Sequence, residues 1–388
     1  MPESLFQCSV AIAGCGATTA VGRGVDALRS ALRANASGLR AAARFDKPAF
    51  QSCVVGAARE EESGTDDPAW QLAGFAVREA REQARETLAA IPAERVGFVL
   101  STTKANIEAM ERLADHRPCS EAARRHLRGD ALAADLAAAH GAGGPVQCVS
   151  VACVSGLVAI AQGARLIQRG AADAVMVAGV DHLSAFVMAG FSALKALDPA
   201  GCRPFDKERR GLSPGEAGAA VVLARAERVA APAIAVAGWG SSNDANHMTG
   251  PARDGSGLAQ AIRGALDSAG VEPGQIDYIN AHGTGTPYND AMEAAALRGV
   301  FGKNSPPISG AKGMLGHTLG AAGVVETILC VLAMQERLLP GTARLNETAE
   351  DAPAGVMKAP SPCARLDWAL KLNSGFGGVN GALILHHG

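Results

Sequence analysis

The hydrophobic positions of this chain fall into short apolar runs that alternate with longer stretches of mixed character. Runs such as "DAVMVAGV" (173–180) are apolar at nearly every position, which is typical of strands buried on both faces of a sheet. In the stretch 256–270, Leu258, Ile262 and Leu266 recur every four residues, which predicts an amphipathic helix. The alternation predicts an α/β protein with helices layered on buried sheets.

The same two patterns continue along most of the chain. Further strands are predicted at residues 9–14, 95–103, 145–152, 219–226, 233–242 and 276–283. Further helices are predicted at residues 24–34, 121–140 and 155–170. Residues 306–334 are predicted to form a strand, a loop and a long apolar helix, and residues 369–385 a strand, a turn and a second strand. A loop is predicted at 341–366 and a solvated excursion at 59–70.

One arrangement occurs twice: a strand, a loop and then a buried helix that opens near a reactive type of residue. It surrounds Cys153 in the first occurrence and His317 in the second. Any α/β protein repeats this unit to some extent. We predict two related halves, residues 1–228 and 229–388, the first carrying the cysteine and the second carrying two histidines.

Composition and charge narrow the classes of partner. With 36 basic and 38 acidic residues the formal net charge is -2, so nothing favours nucleic acid or a membrane surface. No apolar run approaches the roughly 18 residues that span a bilayer. The start of the chain lacks the basic region of a signal peptide. Nine scattered cysteines without a CxxC pair favour reduced thiols in the cytoplasm.

Cys153 lies in "SVACVSGLVAI", between a predicted strand and a predicted helix. A buried free cysteine is usually an inert residue of the core. At a helix N-terminus, however, unpaired N–H groups and the helix dipole favour a thiolate and lower the pKa of a thiol below roughly 8.5. Ser155 and Gly156 leave room for a substrate. We therefore predict a nucleophile, with backbone N–H groups nearby as an oxyanion hole.

Two histidines stand in glycine-rich segments at predicted strand ends: His282 in "NAHGTGTPYND" and His317 in "GMLGHTLGAAG". A single loop histidine is more often structural or merely exposed, but two of them with a candidate cysteine form a catalytic constellation. A metal site is the rival interpretation. It is disfavoured because the sequence has no HExxH motif and no histidine pair at helical spacing.

Two charged residues accompany the second histidine. Lys312 lies five residues before His317, and Glu326 lies nine residues after it. Lysine and glutamate are usually solvated. Here each lies beside an apolar, glycine-rich stretch in which a buried charge needs a partner. We therefore predict a Lys312–Glu326 ion pair near the site.

Two more glycine-rich segments have a structural and a functional interpretation. "GFGGVNGA" (375–382) predicts a tight hairpin whose backbone approaches the substrate, with Phe376 as a movable plug. "AGCGATTAVG" (13–22) is similar to a dinucleotide-binding loop, but Thr19 stands in place of the third glycine. We interpret it as a strand-to-helix turn.

Taken in order, these motifs resemble those of one enzyme family over nearly the whole chain. The sequence resembles a β-ketoacyl-acyl-carrier-protein synthase of the elongating type, in the thiolase superfamily. The motifs that carry the resemblance are "VACVSG", "RPFDKERRGLSPGEAGAAVVL", "HGTGTPYND", "SGAKGMLGHTLGAAGVVE" and "GFGGVNGALIL". It implies a thiolase-like doubled βα fold in five layers, αβαβα, and a homodimer or a heterodimer with a related ketosynthase-like subunit.

The resemblance also implies roles for particular residues. Cys153 matches the acylated nucleophile, and the backbone N–H of Phe376, the gating phenylalanine, joins that of Cys153 in the oxyanion hole. The positions that match the family's catalytic histidines, lysine and glutamate are His282, His317, Lys312 and Glu326. Those assigned to substrate binding and gating, with Phe376, are Thr284, Thr286, Ser374 and Gly375.

The implied reaction explains these residue types. An acyl group moves from the phosphopantetheine of an acyl carrier protein to Cys153. Malonyl carrier protein then loses its carboxylate, and the two neutral imidazoles donate hydrogen bonds to the enolate, each worth roughly 3–4 kcal/mol. Holding one substrate covalently makes the condensation effectively unimolecular. Neither a metal nor a redox cofactor is expected.

Two departures from the family pattern concern the acyl pocket. Ser374 in "NSGFGG" stands where relatives carry the first phenylalanine of F-G-F-G-G, and Leu212 replaces the family's usual phenylalanine. We infer from them an unusual acyl chain, such as a polyketide or polyene intermediate. The sequence leaves the carrier protein, the chain length and the choice between fatty-acid and polyketide pathways open.

Three other functions are compatible with the same fold. A degradative thiolase carries a second catalytic cysteine in C-x-G, whereas Cys363 is followed by Ala364 and Arg365. A plain acyltransferase of the same fold is another. A chain-length-factor-like partner subunit is the third, and such relatives have lost the nucleophile that Cys153 retains. We expect the catalytic subunit.

Overall fold

The computed structural model describes residues 9–58 and 64–388 of the chain. Residues 1–8, which belong to the segment without a signal-peptide pattern, lie outside this description. So do residues 59–63, which form part of the predicted solvated excursion.

The part of the chain before residue 229 contributes strands β1 to β8 and helices α1 to α8. The strands are β1 (Val10–Thr19), β2 (Gly22–Arg23), β3 (Arg40–Ala41), β4 (Val54–Val55), β5 (Val96–Ser101), β6 (Val146–Val149), β7 (Ala174–Asp181) and β8 (Ala217–Arg225). The helices are α1 (Val25–Ala34), α2 (Pro68–Gln83), α3 (Arg85–Ala89), α4 (Ile107–Ala114), α5 (Glu121–Arg125), α6 (Gly129–Ala139), α7 (Ser155–Gln168) and α8 (Ala185–Ala193).

The remainder contributes strands β9 to β15 and helices α9 to α12. The strands are β9 (Ile234–Asn243), β10 (Tyr278–Ala281), β11 (Ile308–Gly310), β12 (Leu338–Leu339), β13 (Ser361–Pro362), β14 (Trp368–Gly375) and β15 (Val379–His387). The helices are α9 (Ser256–Ala269), α10 (Pro287–Phe301), α11 (Lys312–Leu315) and α12 (Ala322–Glu336). A 3₁₀ turn at Leu319–Ala321 leads into α12.

The long strands of the two parts are arranged in the same order. The first part reads β1-β8-β7-β5-β6 and the second reads β9-β15-β14-β10-β11. In each, the first two pairings are antiparallel and the last two are parallel. Ala11 and Ile12 pair with Ala235 and Ile234 and so join the parts into one sheet of eleven strands within the described residues. The division between residues 228 and 229 stays a prediction.

Helices cover both outer faces of this sheet and fill the space between its two parts. Helices α2 and α6 pack on the first part, and α9 and α10 cover the outer side of the second. Helices α7 and α12 lie between the parts, with α7 against β5, β7 and β15 and α12 against β7, β8 and β14. This is the five-layered αβαβα arrangement that the resemblance implies.

The two central helices cross with their backbones in contact. A Cβ atom at Gly156 would lie 2.7 Å from Cα of Gly323, and one at Gly323 would lie 2.4 Å from the backbone nitrogen of Leu157. Real Cβ atoms do not approach other atoms so closely, so glycine is required at both positions. The crossing brings the first turns of α7 and α12, and the segments before them, to one place.

The long apolar helix differs from one sequence expectation. Residues Leu319–Glu336 are long and apolar enough to cross a membrane, although no run of that length was expected. Within the protein, 89% of this 18-residue window is buried. Burial at the centre of the five layers explains its composition, because a helix that is apolar all round belongs in a core.

Residues 13–22 do not form the predicted strand-to-helix turn. Strand β1 continues through Thr19 and pairs with β2 before α1 begins. Cβ atoms at Gly14 and Gly16 would lie 2.2 Å and 2.0 Å from carbonyl oxygens of α2, at Ala80 and Ala76 respectively. These glycines therefore allow a helix to lie directly on the strand.

Candidate active site

Cys153 lies in a tight bend between β6 and α7, as predicted. Ala152 has a positive φ of 46°, and α7 begins two residues after the cysteine. The hydroxyl of Ser155 fixes the bend, since it accepts the Val151 N–H at 2.7 Å and donates to the Ala152 carbonyl at 2.6 Å. The bend presents the cysteine at the amino end of a central helix.

The charge state of this thiol differs from the prediction. Burial raises the pKa of Cys153 to about 11, and the ammonium group of Lys312 only partly opposes this effect. This direction is opposite to the predicted fall below the ordinary thiol pKa, because loss of water around the sulfur disfavours the thiolate. The thiol is neutral at neutral pH and must lose its proton as it reacts.

Buried carboxylates hold the loop that carries His282. The loop follows β10, and Glu293 on α10 accepts the backbone N–H groups of His282 at 2.6 Å and Gly283 at 2.9 Å. Asp290 accepts the N–H of Thr284 at 3.1 Å. The acids on α10 therefore satisfy several of the loop's backbone amides and hold the loop in place.

Two hydrogen-bond donors contact the Nδ1 atom of the His282 ring. Lys312 Nζ lies 3.2 Å from Nδ1 and Asn373 Nδ2 lies 3.0 Å from it. Ammonium and amide NH₂ groups can only donate, so Nδ1 accepts and the proton of the neutral ring lies on Nε2. His282 is therefore fixed as an Nε2–H donor.

His317 reaches the same state through a different contact. Its Nδ1 atom accepts the backbone N–H of Leu319 at 3.2 Å, and Leu319 has a positive φ of 53°. The ring lies edge-on to that of His282, with the centroids 5.3 Å apart. Burial, reinforced by Lys312, lowers the pKa of His282 well below its usual value and that of His317 to about 3. Both rings are neutral.

A buried charge network lies behind the histidines. The predicted ion pair forms, with Lys312 Nζ 2.8 Å from Glu326 Oε1. Lys371 Nζ lies 2.8 Å from Glu326 Oε2, and Asn373 Nδ2 donates to the same oxygen at 3.1 Å. Burial alone would raise the pKa of Glu326, but the two ammonium groups outweigh it and hold that pKa down at about 2.

Cys153, His282 and His317 line one cavity of about 510 Å³. The other predicted substrate and gating residues on its wall are Thr284, Thr286, Ser374, Gly375 and Phe376, together with Leu212. The two departures from the family pattern thus lie on the cavity wall. The structure brings together on this wall or in the network behind it every residue that the sequence assigned to the site.

The hairpin between β14 and β15 closes one side of the cavity. A Cβ atom at Gly375 would lie 3.1 Å from the backbone nitrogen of Cys153, so the hairpin packs directly on the cysteine bend. Phe376 is 40% exposed, and its ring centroid lies 6.0 Å from that of Phe191. The backbones that the resemblance assigns to an oxyanion hole are therefore adjacent.

Sequence reasoning missed four residues of this site, namely Lys371, Asn373, Asp290 and Glu293. A signal for Lys371 exists, because it is a single charge in the otherwise apolar strand segment "WALKL". For the two acids the signal would have been helix α10, which was not predicted. In residues 9–58 and 64–388, no group of three or more His, Cys, Asp or Glu side chains is placed to hold a metal ion.

The doubled five-layered fold, with a cysteine and two neutral histidines in one cavity, defines a condensing enzyme of the thiolase superfamily. The family model for the β-ketoacyl synthase N-terminal domain matches residues 7–228, and that for the C-terminal domain matches residues 234–346. The chain therefore belongs to the β-ketoacyl synthase family, whose members are acyltransferases that condense acyl groups.

Curated proteins and solved structures agree with this assignment. The tetracenomycin polyketide synthase ketoacyl synthase alpha subunit of Streptomyces glaucescens is 34% identical over 97% of this chain and 96% of its own. The 3-oxoacyl-acyl-carrier-protein synthase 2 of Vibrio cholerae serotype O1 is 32% identical over 97% of this chain and 98% of its own. The structure of the ishigamide ketosynthase/chain length factor matches with a TM-score of 0.89 and 31% identity, over 98% of this chain and 99% of that chain.

Proposed function

We propose that this chain is the catalytic ketosynthase subunit of a polyketide or polyene pathway, which condenses malonyl carrier protein with an acyl group held on Cys153. The observation that supports this most directly is the hydrogen bonding at the two histidines. His282 and His317 each accept a donor at Nδ1, so both present an Nε2–H group in the cavity that Cys153 lines. Two fixed donors beside a nucleophile fit a reaction that forms an enolate.

The first step transfers the acyl group. The Cys153 sulfur attacks the acyl thioester on the phosphopantetheine of a carrier protein, and the bond between carbonyl carbon and pantetheine sulfur breaks. The proton of the Cys153 thiol ends on the departing sulfur, so charge is conserved. The adjacent backbone N–H groups of Cys153 and Phe376 stabilise the oxyanion between attack and departure.

The second step forms the new carbon–carbon bond. The malonyl thioester loses CO₂, and the electron pair of the broken bond becomes an enolate whose oxygen accepts the Nε2–H groups of His282 and His317. The α-carbon then attacks the acyl group on Cys153, the carbon–sulfur bond breaks, and the thiolate takes up a proton from solvent water. Each step transfers an acyl group or releases CO₂, so we propose that no metal or redox cofactor takes part.

The proposed acyl substrate rests on residues of the cavity wall, and the proposed subunit assembly rests on the structural relatives. Ser374 and Leu212 place smaller or more flexible side chains where the family pattern has phenylalanine, which favours an acyl chain unlike a saturated fatty acid. The structural relative named for a ketosynthase and a chain length factor supports a heterodimer with a related subunit. We propose that the complex works in the cytoplasm with an acyl carrier protein.

Intact-protein mass spectrometry tests the reaction. The purified chain, alone and with a candidate partner subunit, is incubated with acyl carrier protein loaded with a saturated or an unsaturated acyl group. We expect an acyl adduct on Cys153 and, after addition of malonyl carrier protein, a β-ketoacyl product. An adduct without condensation would show a plain acyltransferase, and no adduct in either form would show a chain-length-factor-like subunit. A preference for ordinary saturated chains would refute the polyketide or polyene assignment.

A further inference from the structure

A second buried lysine lies against the charge network, and the reaction steps described so far give it no role. Lys371 is fully buried on β14, and its ammonium group contacts Glu326 Oε2 while Lys312 occupies Oε1. One carboxylate is enough to compensate one buried ammonium. A second ammonium adds a desolvation cost that other contacts must offset.

Backbone carbonyl groups supply those contacts. Besides Glu326, Lys371 Nζ contacts the carbonyl oxygens of Asn280 at 3.4 Å, Ala281 at 3.5 Å and Leu372. Asn280 and Ala281 belong to the strand that leads directly to His282. The lysine therefore links that strand to Glu326 on the central helix α12.

The position of the Glu326 carboxylate determines the position of both donors on the His282 ring. Its Oε1 atom holds Lys312 and its Oε2 atom holds Asn373. Those two side chains are the donors to His282 Nδ1. Within the described part of the chain, Lys371 makes no hydrogen bond to the His282 ring and does not line the cavity. It binds the Glu326 oxygen that Asn373 shares. A rotation of the carboxylate would thus move both donors away from Nδ1.

We propose that Lys371 is a positioning residue for decarboxylation, which fixes the Glu326 carboxylate so that Lys312 and Asn373 keep His282 as a neutral Nε2–H donor. The inference rests on the function proposed above. In this step the bond between the malonyl carboxylate and the α-carbon breaks, CO₂ leaves and the electron pair forms the enolate. No proton is transferred, so the step depends on how well the donors are placed. The positive charge of Lys371 also disfavours an imidazolium at His282.

The test compares Lys371→Met with Leu372→Met. Leu372 is the next residue of the same strand, equally buried, but it faces the core between β14 and the outer helices. The second variant therefore controls for repacking, which costs little when volume is conserved. Lys371→Met leaves Lys312 and Glu326 as a balanced pair, so we expect it to fold.

We expect Lys371→Met to decarboxylate malonyl carrier protein about 10- to 100-fold more slowly than the control, the effect of a small misplacement of a catalytic group. Acylation of Cys153 should proceed at the rate of the control, since that step uses the cysteine bend. Loss of the nearby positive charge raises the pKa of His282, so the acid limb of the decarboxylation profile should move to higher pH. A purely structural role would slow both half-reactions together.

Three results would overturn the proposal: a decarboxylation rate within roughly threefold of the control, an equal loss in both half-reactions, or an unchanged acid limb. If Lys371→Met does not fold, Lys371→Gln takes its place, because glutamine is neutral and reaches less far. The threefold limit on the decarboxylation rate applies to Lys371→Gln as well. Wild-type protein that forms no acyl adduct and releases no CO₂ would instead refute the proposed function, and this inference with it.

Discussion

The segments before the two central helices occupy matching places in two copies of one strand order, but they carry opposite chemistry. The segment before α7 carries Cys153, whose pKa burial raises to about 11. The segment before α12 carries His317, whose pKa burial lowers to about 3. Burial acts in the same way on both, because it removes charge from an acid and from a base alike. The result is a cavity in which nucleophile and donors are all neutral.

The two regions differ in where their charge is kept. On the histidine side, full charges lie one layer behind the rings, on Lys312, Glu326 and Lys371. On the cysteine side, the bend is held by a serine hydroxyl and backbone groups. The two parts thus share one backbone arrangement, and their side chains differ in chemistry. In the proposed reaction the first region stores the acyl group, and the second stabilises the anion that attacks it.

Replacing the nucleophile should separate the two regions most clearly. Cys153→Ala removes the acyl acceptor, so condensation should fall about 10⁴-fold or more. Release of CO₂ from malonyl carrier protein should continue, because His282 and His317 are untouched. Product analysis and CO₂ release measured on one sample check both statements. Parallel loss of both activities would show that the regions do not act separately.

Removing the central carboxylate should cost the most stability. Glu326→Gln leaves two buried ammonium groups without a counter-charge, so the free energy of unfolding should fall by about 3–5 kcal/mol in urea. The control is Glu336→Gln on the same helix, whose pairs with Arg29 and Arg33 lie near the surface. That change should cost about 0–1 kcal/mol. Equal losses in the two variants would contradict the compensation described here.

The same carboxylate gives the stability a defined pH dependence. The folded pKa of Glu326 is about 2, below the ordinary value of 4.5. Its contribution to stability is therefore fully present above pH 4.5 and is lost as the pH falls from there towards 2. Glu326→Gln should lack this component of the acid slope.

Replacing one donor should affect one half-reaction. His317→Ala removes an Nε2–H group, so decarboxylation should slow about 10²- to 10³-fold. Acylation of Cys153 should remain, since it depends on the cysteine bend. His387→Ala, which lies outside the cavity, serves as the control for loss of an imidazole. If acylation fell as far as decarboxylation, His317 would have a role on the cysteine side as well.

Periodicity was enough to predict most of the sheet and its central helices. Strands buried on both faces, such as β7 and β8, are apolar at almost every position, and the structure confirms them. Helices α2, α3, α4, α8 and α10 were not predicted. Helix α10 carries Asp290 and Glu293 on its buried side, so its pattern is that of a site and not of an ordinary core. Glycines 14 and 16 were misread because helix packing, not a turn, requires them.

The site was predictable where its residues lie close together in sequence. Lys312, His317 and Glu326 fall within fifteen residues, so their proximity could be inferred. Lys371 and Asn373 are 45 and 47 residues from Glu326 and meet it only because β14 packs on α12. The pKa of Cys153 depends on how much water surrounds the sulfur, which no local pattern records.

The last expected effect is a gradual one that needs no substitution, and it tests the raised pKa of Cys153. With a pKa of about 11, the thiolate fraction should grow about tenfold with each pH unit from 7 to 10. Alkylation of the Cys153 peptide by iodoacetamide, followed by mass spectrometry, should rise in step without levelling off. A small-molecule thiol with a pKa near 8.5 should level off within this range and serves as the reference. A plateau for Cys153 near pH 8 would show that the dipole of α7 outweighs burial, and the cysteine region would then hold its charge in the cavity itself.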